Sequence, residues 1–261
     1  MMHGMDMVHA VIYGVVEGLT EFLPISSTGH LIITSRILGN LQTEFLKSFE
    51  IAIQLGASLS VVAVYWRELF VNRRIMKRIV TAFIPTAIIG LTFYKIVKEY
   101  FMGSISVVLW ALLIGGILII VFERRHGERK GAVDELGLIT YTQAFFIGVF
   151  QSIAIIPGVS RAAATIFGGL YTGLSRRVIV QFSFLLAVPT MAAATGLDLV
   201  KNAHLFTWNE FEFLAVGFIV SFLVALAAIK FFLSFVRAHT FESFGVYRIV
   251  LALLGFLFLT F

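Results

Sequence analysis

The chain has 261 residues, 59% of them hydrophobic and only 13% charged, about half the ~25% charged share of soluble domains. With a mean hydropathy of +0.96, its apolar surface exceeds what a soluble core of this length can bury, which excludes a cytosolic enzyme, a disordered chain and a small secreted scaffold and marks an integral membrane protein. The absence of cysteine removes disulfides, zinc thiolate sites and cysteine nucleophiles, and the net charge of +5 comes without the basic runs interleaved with aromatics that nucleic-acid binding requires.

Apolar windows run approximately over 8–35, 48–66, 79–97, 105–122, 138–175, 179–200, 213–236 and 246–261. Most approach the ~20 residues that a helix needs to cross a ~30 Å hydrocarbon layer. None alternates in polarity, so a transmembrane barrel is not expected. Glu17 and Glu21 in the first window, with no small-residue cleavage site, argue against a cleavable signal.

Two windows are too long and too interrupted for simple spans. The first contains Pro24 followed by Ile25-Ser26-Ser27-Thr28-Gly29-His30, and the fifth contains Pro157-Gly158-Val159-Ser160-Arg161. Proline removes a backbone donor and clashes with the preceding turn, so each helix should break there. Broken backbone at membrane depth is tolerated only inside protein or along a wet cavity. Each window is therefore read as a re-entrant hairpin with a polar tip near the midplane.

The hairpins also read as copies. Gly14-Val15-Val16-Glu17 parallels Gly148-Val149-Phe150-Gln151; after a one-residue slip, Pro24, Ser26 and Ser27 match Pro157, Val159 and Ser160, and Phe49 and Phe182 continue the offset. The expected fold is an all-α polytopic membrane protein, one membrane domain over 1–261. Repeat one covers about 1–125, a cytoplasmic linker about 123–137, and repeat two about 138–261. Each repeat holds one hairpin and three transmembrane helices, an odd number of crossings that inverts the second copy. Placing both termini outside puts 14 of the 20 basic residues on the cytoplasmic side, among them Arg73, Arg124, Lys130, Arg176 and Arg248. Five lie outside (Arg36, Lys47, Lys95, Lys98, Lys201), and Arg161 stays in the membrane. That bias favours this orientation, in which the two hairpins enter from opposite faces and their tips meet.

Ionisable groups inside apolar windows are costly and are functional candidates by default. Glu17, Glu21, His30 and Arg161 stand out. Glu17 and Glu21 share a helix face at i,i+4, where two carboxylates repel; a divalent metal, Arg161, or both would relieve them. Ser26 or Ser27 is placed to cap the second half-helix, whose free amides form an anion site with Thr28 and Gly29. Ser27 with His30 three residues on reads as a nucleophile with its proton-transfer partner. Arg161 presents a planar fork suited to phosphate, with Ser160 before it and Thr165 one turn on.

Glu17-Gly18-Leu19-Thr20-Glu21-Phe22-Leu23-Pro24-Ile25-Ser26-Ser27-Thr28-Gly29-His30 resembles the signature of the bacterial undecaprenyl-pyrophosphate phosphatases, also called bacitracin-resistance proteins. Pro157 to Thr165 resembles their second motif, departing at Ala162, where the family usually has serine, and the likeness extends through Phe182 to Pro189. The resemblance implies a phosphatase of the bacterial cytoplasmic membrane that hydrolyses undecaprenyl diphosphate to the monophosphate and inorganic phosphate. It would recycle the lipid carrier of peptidoglycan synthesis and confer bacitracin resistance, with a divalent cation such as Mg2+ or Ca2+ as cofactor and a site open to the outer face. Glu21, Ser27, His30 and Arg161 are then the catalytic candidates, Ser26, Thr28, Gly29, Ser160, Arg161 and Thr165 the phosphate-binding ones, and Glu17 and Glu21 the metal ligands. Attack by Ser27 or by an activated water are both open. The expected partners are the polyprenyl diphosphate and bilayer lipids, without nucleic acid, and a homodimer is an allowed assembly. Lipid acid phosphatases of the haloperoxidase kind fit poorly, because no histidine follows Arg161 until His204. The competing class is a polyprenyl-phosphate transporter or flippase built on inverted repeats, in which Ser27 would be dispensable.

Overall fold

In a computed structural model, which describes residues 5–40, 43–101, 104–129, 131–202 and 208–259, ten α-helices account for nearly all the regular structure. Lys130 and His204 lie outside the described residues, as do the side chains of Lys95, Lys98 and Lys201. The helices are α1 (Met7–Thr20), α2 (Ser27–Leu38), α3 (Glu44–Phe70), α4 (Arg73–Tyr100), α5 (Ile105–Arg125), α6 (Tyr141–Ser152), α7 (Arg161–Tyr171), α8 (Arg176–Asn202), α9 (Trp208–Phe235) and α10 (Glu242–Phe258). Five of them, α3, α4, α5, α8 and α9, contain segments long and apolar enough to cross a membrane. The protein is thus a polytopic helical membrane protein. α10 has 17 residues, somewhat under the ~20 of a full span.

The two interrupted windows fold as helix pairs. α1 and α2 have 14 and 12 residues, α6 and α7 have 12 and 11, so each is only about 16–21 Å long at 1.5 Å per residue and cannot span the hydrocarbon alone. The first break covers Glu21 to Ser26. The second runs through a single 3-10 turn, Ile153–Ile155, to Ser160. Each second half-helix starts with a serine cap: Ser26 Oγ accepts from the Gly29 amide at 3.3 Å and Ser160 Oγ from the Ala163 amide at 3.2 Å.

Both capping serines have a positive φ, 73° at Ser26 and 78° at Ser160, and no other non-glycine among the described residues does. The conformations therefore pair Ser26 with Ser160, which corrects the one-residue slip expected from matching Pro24 to Pro157. The offset that relates Gly14 to Gly148 and Glu17 to Gln151 continues unbroken to the tips, and Ser27 becomes the positional partner of Arg161.

Close helix contacts use small residues, as expected where lipid offers no hydrophobic drive between helices. A Cβ at Gly14 would sit 2.7 Å from the Gly217 carbonyl, and one at Gly18 would sit 2.7 Å from the Ser221 carbonyl, so α1 lies directly on α9. A Cβ at Gly148 would collide with the Ala82 carbonyl, so α6 lies on α4 in the same manner. Gly116 and Gly245 bring α5 onto α10.

α5 remains helical through Arg125, so the connection begins later than the linker expected from 123. Arg124 and Arg125 suit the negative end of that helix. The connection is tied down: the Val133 amide donates to the Gly173 carbonyl, the Ser175 amide to the Val133 carbonyl, and Arg176 pairs with Glu123 at 2.7 Å and Glu128 at 3.2 Å.

Arg248 is also placed differently from its sequence reading. Counted there as a cytoplasmic charge, it is fully buried among the hairpin tips. The remaining charge bias keeps its direction.

Candidate active site

Glu17 in the last turn of α1 and Glu21, the C-cap that follows it, are both buried. The positive φ at Ser26 turns the chain so that α2 begins beside that turn. Ser27, the first residue of α2, then donates its hydroxyl to Glu21 Oε2 at 2.5 Å. From the other hairpin, Arg161 is the first residue of α7. Its Nη2 donates to Glu21 Oε1 at 3.2 Å and its Nη1 to the Ser183 carbonyl at 2.8 Å. Glu21 thus holds a serine hydroxyl on one oxygen and a guanidinium on the other, with the ion pair almost fully buried.

Other sequence-derived candidates have supporting places. Ser26 and Ser160 are caps. The Gly29 amide is taken by Ser26 Oγ, so it is not among the free amides at the start of α2. Thr165 bonds the carbonyls of Arg161 and Ala162, each at 3.0 Å, and lies 2.6 Å from Ser183 Oγ, bracing the turn that carries Arg161. Thr28 is half-buried at the tip.

His30 is not joined to Ser27. Its Nδ1 is 2.8 Å from the Ser26 carbonyl and its Nε2 2.7 Å from the Tyr247 hydroxyl. A carbonyl only accepts, so Nδ1 donates, and in the neutral ring Nε2 accepts from Tyr247. The group within reach of the Ser27 proton is Glu21.

Glu17 is fully buried, and neither carboxylate oxygen has a hydrogen-bond partner among the described residues. Gln151, at the matching place in the second hairpin, donates to Thr86 at 2.9 Å and Thr190 at 3.3 Å. Gln151, Thr86 and Thr190 line a cavity of about 710 Å³ with Phe83, Leu91 and Met191; Arg161 also lines it, and Glu44, Lys47 and Asp198 contribute polar groups to its wall.

Sequence reasoning missed Ser183, Tyr247 and Arg248. Ser183 lies in a motif that the resemblance included, but nothing local marks its carbonyl as a ligand. Arg248 carried a usable signal, since it is an ionisable group inside the window 246–261.

Comparison with known proteins settles the lineage. The family model for the bacitracin resistance protein BacA matches residues 10–254. The chain belongs to the BacA family. Its similar relatives include the undecaprenyl-diphosphatase of Aquifex aeolicus (strain VF5), 50% identical over 244 residues, covering 94% of this chain and 95% of that one. That of Sulfurihydrogenibium sp. (strain YO3AOP1) is 50% identical over 253 residues, covering 97% and 99%. That of Campylobacter jejuni (serotype O:23/36) is 46% identical over 255 residues, covering 97% and 94%. The matches thus cover nearly all of this chain and of each relative, with both hairpin tips inside the family match.

Proposed function

We propose that this chain is an undecaprenyl-diphosphatase, hydrolysing undecaprenyl diphosphate to undecaprenyl phosphate and inorganic phosphate in a bacterial membrane, and that the hairpin tips are its active site. The observation that carries the site assignment is the Ser27–Glu21–Arg161 chain. A buried hydroxyl donating to a carboxylate at 2.5 Å has a base in place for its proton. In the proposed reaction Ser27 Oγ attacks the terminal phosphorus while Glu21 takes the hydroxyl proton. The bond from that phosphorus to the bridging oxygen breaks, releasing undecaprenyl phosphate. Water then attacks the phosphoserine, the bond from phosphorus to Ser27 Oγ breaks, Glu21 returns its proton to Ser27, and inorganic phosphate leaves carrying the protons of the attacking water. Arg161 offers its fork to the charge that spreads over the equatorial phosphate oxygens.

Glu17 and Glu21 fit a divalent cation such as Mg2+ or Ca2+. Glu17 keeps two buried oxygens without a partner among the described residues, and carboxylate oxygens suit hard cations. No group of three His, Cys, Asp or Glu side chains clusters for a metal among the described residues, so phosphate oxygens and waters would complete the shell, the usual arrangement for Mg2+. Held there, such an ion would neutralise charge on the diphosphate.

The same reading includes two inverted repeats and an outward-facing site. Its supports are the shared backbone of Ser26 and Ser160, the glycine-mediated docking of α1 on α9 and of α6 on α4, and the excess of arginine and lysine on the face assigned to the cytoplasm. A transporter has no need of a serine hydroxyl held by a base, so the geometry favours the enzyme over a flippase. The test is release of inorganic phosphate from undecaprenyl diphosphate by the purified protein in detergent. Turnover that depends on added divalent cation supports the reading; no release at any cation concentration contradicts it.

A further inference from the structure

Arg248 sits on α10, fully buried, and no carboxylate among the described residues lies within ion-pair distance. All its donors end on backbone carbonyls. Nη1 donates to Val159 at 2.9 Å and Pro24 at 3.2 Å, Nη2 to Gly158 at 2.8 Å and Ala111 at 2.9 Å, and Nε to Leu112 at 3.4 Å. Pro24 belongs to the first tip and Gly158 and Val159 to the second, so a single guanidinium holds both breaks and fastens them to α5.

Room for it is built in. A Cβ at Gly115 would meet Nη2 directly and lie 2.8 Å from Cζ, while Gly116 and Gly245 let α5 and α10 approach closely enough for the side chain to reach across. A buried, uncompensated cation is expensive in a membrane, and its retention marks a function. The fork can satisfy five acceptors at fixed angles, which an ammonium cannot. Because the tips carry Ser27 and Arg161 on different hairpins, whatever fixes Pro24 against Val159 also sets the distance from the attacking hydroxyl to the phosphate-holding guanidinium.

We propose that Arg248 is a positioning residue for the phosphatase reaction, a pin that locks the two tips in the register that Ser27, Glu21 and Arg161 require. This rests on the phosphatase reading given above. Arg248 touches no substrate; it acts through the backbone of the tips.

The test combines steady-state phosphate release from undecaprenyl diphosphate, thermal unfolding in detergent, and dipolar broadening between spin labels on Thr28→Cys/Val159→Cys in the otherwise cysteine-free chain. Arg248→Lys and Arg248→Met are expected to lower kcat by about 100-fold with KM changed by less than about threefold, the scale of a misplaced reacting group. Both should also weaken the label coupling in protein that still unfolds cooperatively. Gly115→Ala keeps Arg248 but crowds its Nη2, and should give a smaller fall in kcat, about tenfold, at unchanged KM. A folded Arg248→Met with wild-type kcat overturns the proposal, as does a rise in KM at constant kcat. If the Arg248 variants do not fold, wild-type kcat and label coupling in Gly115→Ala overturn it. Absence of phosphate release by the wild type refutes the phosphatase reading instead, and the pin then stands or falls on the label coupling.

Discussion

Ser26 and Ser160 share one backbone conformation, φ 73° and ψ 92° in the first and φ 78° and ψ 115° in the second, and each caps the half-helix that follows it. A non-glycine residue held at positive φ costs of order 1–3 kcal/mol and persists only where its surroundings enforce it. Here the turn delivers Ser27 to Glu21 in one hairpin and Arg161 to Glu21 in the other. Two places and one device, meeting on the two oxygens of Glu21, make the tips a matched pair.

Glycine at either position relieves the strain and loses only the side-chain cap, whereas alanine keeps the strain and loses the cap as well. Ser160→Gly should therefore unfold at a higher temperature than Ser160→Ala, by the equivalent of about 0.5–2 kcal/mol. The same order should hold for Ser26→Gly over Ser26→Ala. Thermal unfolding in detergent measures both; an alanine variant as stable as the glycine variant would remove the strain argument.

Arg161→Lys keeps the charge but cannot reach Glu21 and the Ser183 carbonyl together. kcat/KM for undecaprenyl diphosphate should fall by about 10²–10³-fold, as when one donor to a developing oxyanion is lost. Near-normal kinetics at saturating cation would make Arg161 a structural residue.

His30 braces the tip between the Ser26 carbonyl and Tyr247 and does not touch Ser27. His30→Ala should cost less than the ~10²–10⁴-fold of a lost acid–base group. Tyr247→Phe should produce a similar, smaller fall, and the double variant should be no worse than His30→Ala alone. Additive losses in that cycle would show that His30 acts independently of Tyr247.

Much of this arrangement was legible before any coordinates. The prolines and hydroxyls inside two overlong apolar windows located both helix breaks, and the cost of charge in lipid singled out Glu17, Glu21, His30 and Arg161. What escaped was set by packing between distant segments, apart from Arg248, whose charge inside an apolar window was a usable signal. Tyr247 and His30 meet only because α10 packs beside the first tip. The sequence reading counts Arg248 with the cytoplasmic charges although its window is apolar, because a charge satisfied wholly by carbonyls leaves no acidic partner to find. The register of the second tip went astray because proline was taken as the common mark, when the shared element is the capping serine.

Glu17 and Glu21 divide their work. Glu21→Gln removes the base for Ser27 and the anion facing Arg161, and should abolish most turnover at any cation concentration. Glu17→Gln should raise the Mg2+ or Ca2+ concentration needed for half-maximal rate while retaining more activity at saturation. Titrating each variant after chelator treatment checks this. An unchanged cation requirement in Glu17→Gln would detach Glu17 from the metal.

The most direct test of the Ser27–Glu21–Arg161 assignment is phosphate release from undecaprenyl diphosphate by Ser27→Ala, measured beside the wild type at saturating divalent cation with equal folded protein. With Ser27 as nucleophile and Glu21 as its base, removing the hydroxyl should leave almost no turnover. Substantial phosphate release by Ser27→Ala would contradict the account and assign the attack to water.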